Sequence, residues 1–118
     1  MNLWKTWRFK MYSYSIEKKN GMYFIFFYRK GLSICTIEIE ESEIINITDV
    51  LPDENRTCFV IKAEKDKNIR NYIVFCNRRD FKHIFSMAKK AINEIIDIEL
   101  ISIDIMNRLS KHIGSMCI

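Results

Sequence analysis

Among the side chains able to do chemistry, the cations stand out first. Lys5, Arg8 and Lys10 cluster near the amino terminus, and Arg29 and Lys30 close an aromatic run further along. Arginine offers a planar fork of donors and lysine a mobile point charge, so such groups converging from several strands suit the binding of phosphate. The carboxylates concentrate in "EIEESE", Glu38 to Glu43. They could be metal ligands or an acid/base pair, but strand alternation sends Glu38 and Glu40 to one exposed face, where solvation is the simpler reading. His83 and His112 are far apart, there is no HExxH or nucleophile elbow, and three glycines form no phosphate loop. Catalysis is not supported, and neither a metal nor a cofactor is implied.

Cys35, Cys58, Cys76 and Cys117 are widely spaced with no CxxC. The first three fall in predicted strands, where a reduced thiol acts as a small apolar group. Net charge is segregated: +6 over residues 1–31, −6 over 32–64, +6 over 65–90 and −2 over 91–118. If the basic blocks meet in space, the molecule has a positive pole for an anionic partner, while the acidic block resists indiscriminate association. Nucleic acid is not the expected partner, because only "FKMYSY" mixes basic and aromatic residues and the acidic block opposes it. No apolar run reaches the roughly 18 to 20 residues of a membrane span, and the start "MNLWKTWRFK" lacks a secretion-signal core. The expectation is a soluble, cytoplasmic chain with at most peripheral membrane association.

The positions of these groups depend on the elements that carry them. Residues 5 to 17 alternate Trp7, Phe9 and Met11 with Arg8, Lys10 and Tyr12, which predicts a half-buried strand with a basic outer face. "KKNG" is a hairpin turn, since Asn20-Gly21 tolerates positive φ. "MYFIFFYRK" is apolar on both faces and suits a central strand, and "SICTIEIE" resumes alternation with Cys35, Ile37 and Ile39 inward. "EIINITDV" predicts a fourth strand, "LPDENRT" a polar loop, and "CFVIKAE" and "RNYIVFC" two more strands. Six strands joined by short connections imply an antiparallel meander. From Phe81 the period changes: Phe81, Ile84, Phe85, Ala88 and Ile92 recur at helical spacing, with Asn77 as the expected N-cap. This amphipathic helix covers one open end of the curled sheet. The tail is open to two readings: Ile96 to Ile105 alternates like a bulged strand, yet Ile92, Ile95, Ile96, Glu99 and Ile103 also continue a helix. "MNRLSKHIG" reads as a short helix ended by Gly114.

This order of parts resembles a pleckstrin-homology (PH) domain or its wider superfamily over about residues 4 to 96. "WKTWRF", Trp4 to Phe9, is similar to the family's WKxRWF opening of its second strand, with Trp7 and Arg8 exchanged. "FIFFYRKG" resembles the third strand, "CFVIKAE...NYIVFC" the last two, and "RRDFKHIFSMAKKAI" the closing helix. That helix usually carries a Trp where this chain has Ile84 or Phe85. The family barrel has seven strands, so the strand-like Ile96 to Ile105 segment is a candidate for the seventh. The resemblance implies a single α+β, mainly β, domain over residues 1–118, a bent sheet or partly open barrel of six to seven strands capped by the helix. Residues 97–118 form a C-terminal extension, strand or helix. It also implies a non-enzymatic membrane-targeting or adaptor module. Lys5, Arg8, Lys10, Arg29 and Lys30 would then face the open end and bind an anionic lipid such as a phosphoinositide or phosphatidic acid, with Trp4 and Trp7 at the interface. The alternative is a PH-like scaffold that binds a protein through "EIEESE" or the helix exterior, without lipid.

Overall fold

A computed structural model describes residues 11–116, with side chains through residue 111. Strands β1 (Tyr12–Lys19), β2 (Met22–Arg29) and β3 (Leu32–Glu40) form one antiparallel sheet with β2 central. Strands β4 (Ile47–Pro52), β5 (Cys58–Lys65) and β6 (Asn68–Phe75) form a second with β5 central. Helix α1 (Phe81–Met116) follows. The molecule is thus α+β and mainly β: the described residues form two three-stranded antiparallel sheets and a C-terminal helix, with no closed barrel among them. This broadly matches the PH-like arrangement expected from the sequence.

The two hairpins of the first sheet turn where the chain can take left-handed backbone angles. Asn20 and Gly21 have φ of 52° and 75°, and Lys30 and Gly31 have φ of 51° and 77°. Paired positive φ values match the right-handed twist of the flanking strands, which is why two-residue turns of this kind set hairpin register. That register puts Tyr23, Ile25 and Phe27 on the inner face of β2, facing inward with Ile37 and Ile39 of β3. Phe59, Ile61 and Ala63 do the same from β5. The core closes between the sheets and α1, whose Phe81, Ile84, Ala88, Ala91, Ile92 and Ile95 are all buried. Phe59 meets Phe81 and Phe85 edge-on, at centroid distances of 6.3 and 5.5 Å.

Several expectations are corrected. The fourth strand begins only at Ile47, because Glu41–Asn46 form a 3-10 turn that drops Ile44 into the core, and the strand runs on through Pro52. The helix starts after Asp80 rather than at Asn77: the Asp80 amide donates to the Asn77 carbonyl in a turn, and the first helical bond runs from Ile84 to Asp80. The tail is neither strand nor second helix, since α1 runs unbroken for 36 residues and passes Gly114. Isoleucine favours strands only where a neighbouring strand supplies backbone partners. Past Ile95 the chain pairs with no strand among the described residues, and helix satisfies its amides internally.

Candidate functional site

The expected basic cluster divides. Lys5, Arg8 and Lys10, with Trp4 and Trp7, lie outside the described residues. Arg29 is committed to the fold: Nη1 donates to both oxygens of Asp80 at 2.8 Å, and the Tyr12 hydroxyl donates to Oδ1 at 2.7 Å. Asp80 is only 1% exposed. Burial pushes its carboxyl upward, but the Tyr12 hydroxyl and the Arg29 guanidinium outweigh burial and hold it below the usual value. The hydrogen bond to Asp80 in turn raises both Tyr12 and Arg29. This triad ties β1 and β2 to the start of α1.

Lys30 remains exposed, its amide bonded to the Met11 carbonyl at 2.7 Å. Arg78 and Arg79 are exposed beside it at the same end, with Arg79 Nε 3.8 Å from Asp80. Three apolar side chains stand there too: Met11, Leu32 (72% exposed) and Phe75 (75% exposed). The second sheet continues this surface on its outer face, where Leu51 pairs with Val60 and Val60 with Ile73.

Two further tyrosine–carboxylate contacts anchor α1, and local pattern did not announce them. Tyr23 donates to the buried Glu99, which Lys18 also approaches at 3.5 Å while bridging Glu41 at 2.5 Å. Tyr14 donates to Glu94. Burial and Glu99 push Tyr23 up to about 12. The hydrogen bond to Glu94 does the same for Tyr14, also to about 12. The available signal was Glu99 itself, an acid within the apolar stripe that needs a donor when buried.

Beyond Glu99 the helix leaves the sheets behind. Ile98, Ile101, Ile103, Ile105, Met106 and Leu109 are 40 to 64% exposed and occupy one broad side of the helix, while Leu100, 52% exposed, falls among the polar residues. Asp97, Asp104, Asn107, Arg108 and Lys111 fall on the other, at 100° per residue. The helix is therefore largely amphipathic, and its apolar side is exposed among the described residues.

Reactive chemistry finds little purchase. Cys35, Cys58 and Cys76 are free and half-buried, and burial pushes the Cys76 thiol up to about 11, so at neutral pH it is a thiol rather than a thiolate. A cleft of about 590 Å³ between the β4–β5 loop and α1 has Pro52, Phe81 and Phe85 on its walls, with Asp53, Glu54, Arg56 and Lys82 at its edge. Glu38 is solvated, and Glu40 bonds to Arg70 at 3.4 Å. Among the described residues no helix is long and apolar enough to cross a membrane.

No family model matches the chain, and no curated protein matches it.

Proposed function

We propose that this chain is a non-enzymatic adaptor of PH-like fold that docks another protein through the distal half of α1. One observation carries the reading: among the described residues, a largely amphipathic helix leaves its own core with its apolar side exposed. Soluble monomers rarely present contiguous apolar surface of this kind unless a partner covers it. Helices that lie on membranes usually carry an excess of lysine and arginine on the polar side. Here that side is mixed, with Asp97 and Asp104 against Arg108 and Lys111, which favours a protein over a bilayer. The "EIEESE" strand is a weaker docking surface, because Glu40 and Glu43 already face Arg70.

The test is site-specific photo-crosslinking in cells, with a benzophenone side chain at Ile101 and, as control, at exposed Glu38. Protein adducts at position 101 and none at 38 are expected; equal or absent adducts at both would count against docking.

A second reading is favoured by the other end of the molecule. Lys30, Arg78 and Arg79 beside the protruding Leu32 and Phe75 combine cations with apolar tips, the pairing that suits an anionic bilayer surface. Each such cation can add roughly 1 kcal/mol near an acidic leaflet, so three suffice only for weak, salt-sensitive attachment. Flotation with and without acidic phospholipid tests it. Binding lost in the K30E/R78E/R79E variant supports it, and equal binding to neutral vesicles opposes it.

A further inference from the structure

We infer that the partner of the distal helix is a second copy of this chain, the two helices pairing antiparallel from Ile98 to Leu109. This rests on the docking reading above and adds the occupant and its direction.

Ile98, Ile101, Ile105 and Leu109 recur at intervals of three, four and four residues, the spacing of a seam that packs against another helix. At 100° per residue this seam lies roughly 100° around the helix from the side that Ile92, Ile95 and Glu99 turn to the sheets. A second helix can therefore lie along it without displacing the core. The seam is free from the point where the core ends: Glu99 is the last buried helical residue, and Ile98 the first of the exposed stripe.

Charge order fixes the direction. Along the described distal helix the acids come first, Asp97 and Asp104, and the bases last, Arg108 and Lys111. Parallel pairing would set acid beside acid and base beside base, and would bring two sets of sheets to the same end. Antiparallel pairing about a two-fold axis near Ile103 sets Ile98 of one copy against Leu109 of the other and Ile101 against Ile105. It also places Asp97 of each copy beside Lys111 of the other and beside Arg108, which bridges Asp104 of its own helix at 3.2 Å and so offsets the charge of the two Asp104 carboxylates near the axis, and it keeps the sheets apart. Because the same stripe serves both copies, the contact closes as a dimer and does not propagate.

The experiment is sedimentation velocity on the purified full chain over a concentration series, with helicity followed by circular dichroism. The wild type is expected to be dimeric at tens of micromolar. I101A/I105A, which retains helix propensity, should weaken the dimer by about 100-fold or more. D97K and K111E, neither of which breaks the Asp104–Arg108 pair within the helix, should each weaken it by about tenfold, and D97K/K111E should restore it to near the wild-type value. A monomeric wild type overturns self-pairing; adducts at Ile101 to a different protein would then leave the docking reading standing, and their absence would remove both. A dimer indifferent to I101A/I105A, such as one formed by the outer face of the second sheet, also overturns the inference. So does a double charge swap that fails to restore pairing.

Discussion

Arg29 and Asp80, 51 residues apart, form a bidentate ion pair in which one guanidinium nitrogen reaches both carboxylate oxygens at 2.8 Å. The partners differ in their access to water: the Arg29 side chain is 25% exposed and that of Asp80 1%. Loss of Arg29 strands a carboxylate in the core, whereas loss of Asp80 leaves a cation that can reach solvent.

The two truncations should therefore be unequal. R29A is expected to cost about 3 kcal/mol in urea unfolding and D80A about 1 to 2, because only the first leaves a buried charge without its main partner. R29K keeps a charged nitrogen donor on a shorter, non-planar head that cannot take the same position against both oxygens, and should fall between wild type and R29A. Equal costs would mean that Asp80 is not sequestered as described.

The pH dependence of stability follows from the same pair. The Asp80 carboxyl sits below its ordinary value of 3.8 in the folded chain, so its contribution is complete above that pH and is lost as pH falls through the folded value. Tyr23 has the opposite sense: raised from 10.0 to about 12, it contributes fully below pH 10 and loses that contribution as pH rises towards 12. Denaturation midpoints across both ranges should show a shallower acid limb in D80N and a shallower alkaline limb in Y23F.

Two tyrosine-to-phenylalanine changes should differ in sign. Y23F removes the donor to buried Glu99 and should cost about 1 to 3 kcal/mol. The buried Tyr72 hydroxyl has no partner among the described residues, although the Arg70 guanidinium lies over the ring at 5.3 Å. Y72F keeps the ring and discards an unsatisfied group, so thermal unfolding should show no loss, or a gain of up to about 1 kcal/mol.

The β5–β6 turn is the least favourable of the three tight hairpins, since Asp66 and Lys67 take φ of 50° and 69° with no glycine between them. K67G should raise stability by about 1 kcal/mol, because left-handed backbone costs an L-residue roughly that much. At Gly21, with φ of 75°, the reverse change G21A should destabilise by at least as much.

The legibility of the fold varied along the chain for identifiable reasons. Strands β3 and β5 could be read because alternation reports directly on a half-buried face, β2 and β6 because their runs are apolar, and Asn20-Gly21 marked a turn that left-handed angles require. In β1 the faces are reversed, since Met11, expected inward, is 50% exposed and Tyr12, expected on the outer face, bonds the buried Asp80. "EIINITDV" misled because Ile44 and Ile47 are both core-directed across a 3-10 turn, a spacing of three that resembles neither template. Arg29 read as a ligand group because its strand position put a cation at the open end. That Asp80, on another element, would be there to meet it is not a property of local pattern.

By itself the sequence determined the class of the fold, the inner faces of the sheets and the stripe by which α1 covers them, since each depends on residues two to four positions apart. The tertiary structure alone decided what becomes of the polar groups. It set Arg29 against Asp80, Tyr23 against Glu99 and Tyr14 against Glu94, and it ended the core at Glu99, so that the isoleucine-rich stretch beyond is helical and exposed among the described residues. Periodicity records which side of an element is apolar. Whether a neighbour arrives to cover that side, or to pair a charge, depends on how far the packed elements reach, and that is fixed only when they assemble.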